Sequence, residues 1–445
     1  MRRIVILFLI CIDLISFAAW PASASEPAKP GVLNAGKFLQ AGKFLQAKGR
    51  DLVLPTGEIF PVRGIGLGNW LVPEGYMFKF KNARAPRDIG QIIEIALGAE
   101  EAARFWETFR DRYITREDIE FMARSGFNTV RVPIHFGLFM AEPEKGGEER
   151  FTGPGWALLD RVIGWSREAG LKVIIDLHAA PGGQTGVNHD DGTGFPLVFY
   201  VEREKRRTTA LWREIARRYR DEPAIFGYEL LNEPISTYND EDILNPRLEP
   251  FYRRVTAAIR EVDPHHIVIL AGAQWDQNFR VFSPPFAPNL VYTYHKFWSA
   301  TRRDVVHEYI AFADRYRVPI LLGEAGEATN AWNREFRTLN ETHGFGWSFW
   351  TYKNLSTPST VVSIRMPKGW EKLAALGSMN APSLEKANLT RDEARRILND
   401  YLDAVLFRNV EVRPCYLRSL GLAEALEEAC QAEERAAASA PKKAP

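Results

Sequence analysis

Short apolar segments alternate with helical patterns from residue 60 to residue 350, and this alternation limits the folds open to the chain. Each segment is apolar enough to be a strand buried on both faces, as in a parallel sheet. Eight such segments occur, at 60–67, 129–134, 172–178, 226–234, 267–271, 290–295, 319–323 and 346–350. Eight regular β–α units predict an α/β fold, a closed (β/α)₈ TIM barrel rather than an open doubly wound sheet.

The segments outside the barrel predict a leader, a linker, an insertion and an extension. After strand one we expect a long insertion with an amphipathic helix near Gln91 to Arg112, and at the C-terminus a short helical extension with a disordered tail from Ala436 to Pro445. The predicted divisions are a signal peptide at 1–24, a linker with a six-residue duplication at 25–50, the catalytic barrel at 51–408, and the extension with its tail at 409–445.

The N-terminal residues have the pattern of a secretory signal. Arg2 and Arg3 precede an apolar run, and small residues end it, which predicts a secreted or periplasmic protein. No later run approaches the roughly 20 apolar residues of a spanning helix, so we expect no membrane span after removal of the leader. Cys415 and Cys430 would then remain in an oxidising compartment. We predict that they pair as a C-terminal staple, with two free buried thiols as the open alternative.

Charge and glycine patterns argue against nucleic acid and nucleotides as partners. The formal net charge is +1, which leaves no basic surplus to neutralise phosphates. The cluster Gly64, Gly66 and Gly68 lacks the third glycine position of a dinucleotide fingerprint, and the loop 181–186 lacks a Walker lysine. We therefore expect no cofactor, and both glycine clusters are interpreted as sharp turns or places where backbone approaches a ligand.

Two glutamates stand at the ends of buried strands. Glu233 lies in Asn-Glu-Pro at the end of strand four, and Glu324 ends strand seven. The carboxyl ends of barrel strands meet at one mouth, where such barrels keep their chemistry. A lone strand-end glutamate usually only caps a loop, but two of them are what a paired-carboxylate hydrolase requires.

Further polar or aromatic residues stand at other strand ends. Taken singly, each has an ordinary structural explanation, such as an ion pair, a hydrogen-bonded core histidine or a packed ring. Their convergence on one mouth favours a shared site. The candidate site residues are Arg131, His178, Asn232, Glu233, His295, Glu324 and Trp350.

This ordered set resembles glycoside hydrolase family 5, the cellulase family. The resemblance spans about residues 58 to 355 and includes Asp176-Leu-His178 on strand three. The segments 63–72 and 176–184 are most similar to the branch that contains exo-β-1,3-glucanases. The family implies a retaining β-glycosidase that acts on a β-linked polysaccharide or oligosaccharide, endo or exo, without a metal.

The resemblance also implies individual roles. Glu233 would be the general acid/base and Glu324 the nucleophile. Arg131 would keep Glu324 charged, and Asn232 would bind the sugar 2-hydroxyl. The remaining implied roles are orientation of hydroxyls and carboxylates by His178 and His295, and a sugar-subsite floor formed by Trp350.

One position departs from the family pattern. Phe297 stands where the family usually has a tyrosine whose hydroxyl touches the nucleophile. Either Tyr294 or another hydroxyl substitutes for it, or the nucleophile lacks one hydrogen bond.

Two other functions stay open at this point. One is a non-catalytic carbohydrate-binding barrel, because a fold does not guarantee chemistry. The other is a metal-dependent barrel hydrolase, although no metal-ligand spacing connects its candidate ligands. Those ligands would be Asp176, His178, His189, His295 and Glu324. We expect a monomer. The sequence does not separate β-1,4-glucan, β-1,3-glucan, mannan or a glycolipid headgroup, and the candidate sugar platforms are Trp70, Trp275, Trp298 and Trp332.

Overall fold

The structure is a computed structural model that describes residues 44–144, 147–422 and 426–439, and within them eight parallel strands close into a barrel. A hairpin of β1 (Gln46–Lys48) and β2 (Asp51–Val53) precedes the barrel. The last barrel strand pairs with both the first and the seventh, which closes the cylinder. The barrel strands are β3 (Arg63–Gly66), β4 (Thr129–His135), β5 (Lys172–Ala179), β6 (Ile225–Glu229), β7 (Ile267–Ala271), β8 (Leu290–His295), β9 (Ile320–Glu324) and β10 (Gly346–Phe349).

Helices follow the strands and cover the outside of the barrel. The insertion after β3 contains α1 (Pro86–Leu97), α2 (Ala99–Tyr113) and α3 (Arg116–Arg124). The other helices between strands are α4 (Gly155–Ala169), α5 (Glu202–Tyr219), α6 (Glu241–Arg260), α7 (His307–Tyr316) and α8 (Asn330–Thr342). The predicted (β/α)₈ barrel with an insertion after strand one is confirmed.

Two local predictions were wrong in their details. The single helix expected near Gln91 to Arg112 is two helices, because Gly98 has a φ of 87° that no residue within a right-handed helix can adopt. Strand four ends at Glu229 rather than running on to the Asn-Glu-Pro motif. Asn232 and Glu233 therefore lie in the loop beyond the strand, where the backbone can turn their side chains towards the barrel axis.

Alternating side chains sort into two apolar layers. On β7, Ile267 and Ile269 belong to a cluster inside the barrel, whereas Val268 and Leu270 belong to the layer between strands and helices. Leu52 and Phe60, from the N-terminal hairpin and the segment after it, join the inner cluster. The hairpin thus closes the N-terminal end of the barrel, which leaves the opposite end for the polar residues.

Further elements follow the last barrel strand, and the described part of the predicted extension at 409–445 is mainly helical. A three-stranded sheet of β11 (Lys353–Leu355), β12 (Val362–Ile364) and β13 (Glu411–Val412) follows the barrel. The remaining helices are α9 (Trp370–Leu376), α10 (Arg391–Ala404), α11 (Pro414–Ser419) and α12 (Glu427–Ser439). None of the described helices combines the length and apolar character that a membrane span requires.

The predicted ends of the chain fall partly outside the described residues. The signal peptide and most of the linker lie in residues 1–43, which are not described. Residues 46–48 of the predicted linker form β1. The tail predicted to be disordered begins at Ala436, within α12, which continues to Ser439. Residues 440–445 are outside the described range.

Cys415 and Cys430 form a disulfide, as predicted, and join α11 to α12. Next to it in the chain, the hydroxyl of Tyr416 donates a hydrogen bond to the carbonyl of Trp350, 3.3 Å away. The crosslink therefore fixes a helix that supports one wall of the barrel mouth.

Loss of this disulfide is expected to lower the free energy of unfolding by about 3 kcal/mol, because it closes a loop of 15 residues. Unfolding of the oxidised and dithiothreitol-treated protein by urea measures the difference. A double variant, Cys415→Ala with Cys430→Ala, is the control and should not respond to dithiothreitol. Equal midpoints for the oxidised and reduced parent would contradict the prediction.

Candidate active site

The C-terminal ends of the barrel strands surround a cavity of about 520 Å³. Five of the seven predicted site residues line it, and Arg131 and Asn232 lie directly beneath, where both are almost fully buried. The lining residues are Glu74, Tyr76, His178, His189, Glu233, Trp275, Gln277, His295, Phe297, Trp298, Glu324, Glu327 and Trp350. The cavity volume falls in the range of small-ligand sites.

Glu233 and Glu324 face the same point of this cavity. One carboxylate oxygen of each and one ring nitrogen of His295 lie within 4.8 Å of one another. Nδ1 of His295 is 2.9 Å from Oε1 of Glu233 and 3.7 Å from Oε2 of Glu324. Retaining glycosidases hold their two carboxyl groups about 5–5.5 Å apart, whereas inverting glycosidases hold them about 6.5–9.5 Å apart. The separation of Glu233 and Glu324 is closer to that of the retaining enzymes.

Arg131 forms a hydrogen bond with one of the two glutamates, Glu324. Its guanidinium donates this hydrogen bond and another, of 2.7 Å, to Oδ1 of Asn232. Among the ion pairs of Arg131 in the described residues, Glu324 is a partner and Glu233 is not. Burial raises the pKa of Glu324, and His295 and Arg131 oppose that rise. The direct hydrogen bond to a buried cation favours the ionised form of this carboxylate.

Asn232 and His178 form a second layer beneath the cavity. The amide of Asn232 approaches Nε2 of His178 at 3.4 Å, and Nδ1 of His178 lies 2.8 Å from Asp176. Burial lowers the pKa of His178 to about 4, so the ring is neutral at neutral pH. A neutral ring between an amide and a carboxylate is held in one orientation by hydrogen bonds rather than by charge.

Trp350 forms one flat wall of the cavity. Its ring lies parallel to that of His178, with centroids 5.8 Å apart, and its Nε1 donates to the hydroxyl of Tyr76 at 2.9 Å. A methyl group at Gly66 or Gly68 would lie only 2.6 or 2.5 Å from the indole. Gly66 and Gly68 of the glycine cluster therefore make room for Trp350.

Comparisons with known proteins agree with this geometry. The model of the family "Cellulase (glycosyl hydrolase family 5)" matches residues 96–356. The chain belongs to glycosyl hydrolase family 5. Among relatives, a β-xylosidase of Phanerodontia chrysosporium is 31% identical over 266 residues, which are 59% of this chain and 51% of the relative. A probable glucan 1,3-β-glucosidase A of Aspergillus fumigatus is 31% identical over 217 residues, which are 47% of this chain and 49% of the relative.

The match to these relatives is partial, and the structural matches concern the fold. The chain spans about half the length of the relatives. Among solved structures, rutinosidase from Aspergillus niger superposes with a TM-score of 0.54 at 21% identity, over 66% of this chain and 90% of that one. An endogalactoceramidase superposes with a TM-score of 0.53 at 20% identity, over 70% of this chain and 75% of that one. At these identities the structures support the family 5 barrel alone.

The family 5 site contains further buried acids, and of these the sequence analysis named only Asp176. Glu229 makes two hydrogen bonds with Arg131, at 2.7 and 2.9 Å, and Asp176 lies 3.0 Å from the same guanidinium. Asp276 lies near His295, and Glu74 near both Glu233 and Glu324. Burial raises the pKa of Asp176 to about 7 and the pKa values of Asp276 and Glu74 well above their usual range. Several acids around one guanidinium cannot all ionise, so part of the cluster holds protons.

In the described part of the chain, no tyrosine hydroxyl replaces at Glu324 the one that Phe297 lacks. Tyr294 is fully buried, and its hydroxyl donates to Asn340, away from the cavity. Within the described residues, the hydrogen bond to Glu324 comes from Arg131. Of the two outcomes that the sequence left open, the structure agrees with the second, in which Glu324 has one hydrogen bond fewer.

The candidate aromatic platforms divide into two pairs. Trp275 and Trp298 line the cavity, and Trp298 is 73% exposed with its Nε1 donating to the carbonyl of Glu327. Trp70 is buried against the insertion and Trp332 stacks on Phe336. Two of the four candidates are therefore packing residues.

The ligand set of the metal-dependent alternative does not converge. In the described part of the chain, two clusters of three side chains at the barrel bring possible metal-ligand atoms within 4.8 Å of one another. Neither cluster includes Asp176, His178 or His189. The carboxylates of Glu229 and Glu324, one in each cluster, are already bonded to the guanidinium of Arg131. A cation beside Arg131 would meet direct repulsion.

Proposed function

We propose that this family 5 chain is a retaining β-glycosidase that hydrolyses β-linked glucan-type polysaccharides or oligosaccharides. The observation that carries the proposal is the pair of carboxylates in one cavity, close together, with Arg131 bonded to Glu324 and a neutral imidazole beside Glu233. This difference divides the chemistry, because one acid must hold a proton while the other attacks as an anion.

In the proposed first step, Glu324 attacks the anomeric carbon and Glu233 protonates the departing oxygen. In the second step, Glu233 removes a proton from water, which displaces Glu324 from the sugar. Asn232, held by Arg131, is positioned beneath the cavity to bind the sugar 2-hydroxyl. His178 and His295 orient the site, and Trp350 supports the apolar face of the sugar ring.

The relatives guide the choice of the first substrates. Their names indicate glucan with β-1,3 linkages and β-xylosides, and we propose a β-linked glucan as the substrate class. We also propose that the protein acts outside the cytoplasm, which the leader pattern and the Cys415–Cys430 disulfide support. A monomer remains a prediction.

The test follows hydrolysis of defined β-1,3- and β-1,4-linked oligosaccharides and xylosides by proton NMR. The first product formed should be the β-anomer, before it mutarotates. A first product with the α configuration would contradict the mechanism. Binding without turnover, unchanged by Glu233→Gln and Glu324→Gln, would favour the carbohydrate-binding alternative. Product lengths over the same panel separate endo from exo action.

The acid limb of kcat/KM is expected above pH 4.5, because burial raises the pKa of Glu324 above that value and the nucleophile must be ionised. Activity is present above this pKa and is lost as the pH falls through it. A dinitrophenyl β-glycoside isolates the limb, since its leaving group needs no protonation by Glu233.

Asp176→Asn is the matched variant for this experiment. Like Glu324, Asp176 contacts Arg131 and has a raised pKa, which burial brings to about 7. The limb should persist in this variant, since it arises from Glu324. Circular dichroism at each pH excludes unfolding as the cause. A limb below pH 4.5, or its disappearance in Asp176→Asn, contradicts the assignment.

A further inference from the structure

Asp276 is a fully buried carboxylate without a hydrogen bond in the described part of the chain. Its Oδ2 lies 3.1 Å from Nε2 of His295, but the angle does not suit a hydrogen bond in the static arrangement. A carboxylate buried without a partner is costly, so its place against a site histidine calls for a chemical explanation.

The backbone that holds Asp276 is unusual. Gln274, Trp275 and Asp276 have φ values of 50°, 60° and 61°, three consecutive left-handed residues that are not glycine. Each costs roughly 1–2 kcal/mol in this conformation. Paired backbone hydrogen bonds between Ala273 and Asn278, at 2.9 and 3.1 Å, close the turn. Strained turns of this kind occur where they aim a side chain at a functional site, and this one aims Asp276 at the barrel axis.

His295 stands between two acids. Its Nε2 faces Asp276 and its Nδ1 lies 2.9 Å from Glu233. Burial lowers the pKa of His295 to about 4, so at neutral pH the ring carries one N–H and one lone pair. Whichever nitrogen holds the hydrogen, the other can only accept one.

We propose that Asp276 is a positioning residue that shares one proton with Glu233 through the imidazole of His295. This inference rests on the proposed role of Glu233 as general acid. In one arrangement, ionised Asp276 accepts the Nε2 hydrogen, and protonated Glu233 donates to Nδ1. In the other, protonated Asp276 donates to Nε2, and the Nδ1 hydrogen is donated to ionised Glu233.

The two arrangements differ only in the positions of two hydrogens. As the Asp276 proton moves to Nε2, the Nδ1 proton moves to Glu233, so the unit has one negative charge before and after. The titratable groups that face the unit from the surrounding strands, helices and loops are Glu74, Arg131, Asp176, His178, His189, Glu229, Tyr252, Tyr309 and Glu324. Arg131 is their cation, and it is bonded to Glu229 and Glu324.

The shared proton would affect the pH range over which the general acid is protonated. Removing the shared proton leaves two carboxylates on one ring, which like-charge repulsion resists. The unit therefore keeps its shared proton to a higher pH than it would if Asp276 were a neutral side chain. The titration belongs to the unit, not to Glu233 alone.

Asp276→Asn tests the proposal, because asparagine tolerates the left-handed backbone and cannot release a proton. The alkaline limb of kcat/KM should move to lower pH by about one unit. At pH values above the alkaline limb of the parent, substrates with poor leaving groups should lose about tenfold in rate, and dinitrophenyl glycosides should lose little. A merely structural change would lower both alike.

Asp263→Asn is the matched control. Asp263 is also fully buried against a histidine, His266, at 2.6 Å, but the pair packs beneath Tyr228 outside the barrel interior. This variant should lose stability and keep the alkaline limb of the parent. An unshifted limb in Asp276→Asn, or the same shift in Asp263→Asn, overturns the shared proton.

Two further outcomes are distinguishable. A parent inactive on every β-glycoside overturns the proposed function, and the shared proton with it, whereas an active parent with an unchanged Asp276→Asn profile overturns the shared proton alone. Should the asparagine variant fail to fold, Asp276→Gly tolerates the same backbone. Added formate should then restore its rate on poor leaving groups, and a glycine variant with the parent's profile in the absence of formate overturns the proposal.

Discussion

Glu324→Gln is expected to lower kcat/KM by at least about 10⁴-fold on every substrate, whatever its leaving group. The loss corresponds to about 5.4 kcal/mol or more of transition-state stabilisation. The amide keeps the size of the side chain but cannot form the glycosyl–enzyme bond. It also leaves Arg131 without one of the carboxylates to which it is bonded, so the buried cation adds to the defect.

Covalent trapping checks the same residue independently. A 2-deoxy-2-fluoroglycoside with an activated leaving group should add one sugar mass to the parent protein, on the peptide that contains Glu324. Glu335→Gln, an exposed glutamate on α8, is the matched control and should label as the parent does. A label on another residue, or normal turnover by Glu324→Gln, contradicts the assignment of the nucleophile.

The barrel could be predicted because each strand is short, apolar and followed by a helical pattern. The strand-end residues that the sequence singled out also meet at one mouth, since barrel closure brings all carboxyl ends of the strands together. Closure is a property of topology, so it needs no knowledge of individual contacts. The placement of Glu233 and Glu324 in one cavity follows from that property.

Glu229 escaped prediction because of a local irregularity in the sheet. The pairing of β5 with β6 shifts between Val173 and Ile174, so Phe226 and Glu229 both point inside the barrel although they are three residues apart. Simple alternation would place one of them outside. A sequence pattern with period two does not reveal such a shift.

Glu74, Tyr76 and Asp276 were missed for a different reason. Each lies in a segment whose path depends on tertiary contacts rather than on periodicity. Glu74 and Tyr76 belong to a turn in the insertion that folds over the barrel mouth. The left-handed residues of the turn that carries Asp276 are not glycines, so the sequence gives no signal of the turn. The sequence signal closest to these residues is an acid soon after a barrel strand, which is too common to select them.

Glu233→Ala is expected to show an effect that depends on the leaving group. On oligosaccharides, whose alkoxide leaves poorly, the rate should fall by about 10²–10⁴-fold, since the side chain that protonates the departing oxygen is removed. On a dinitrophenyl glycoside the first step needs no acid and should stay near the parent rate. The second step should slow, because water then lacks its general base, so the glycosyl–enzyme accumulates and KM falls.

Azide separates this role from a structural one. The shortened side chain leaves room beside His295, and azide needs no base to attack the glycosyl–enzyme. It should restore turnover of the activated substrate and give a glycosyl azide with the β configuration, because the sugar is inverted twice. In Glu324→Gln no covalent sugar forms, so azide should not restore that variant by this route. Equal losses on both substrates, or no azide product, would mean that Glu233 supports the site rather than moving a proton. The neutral ring of His295, 2.9 Å away, would then have lost the acid that it orients.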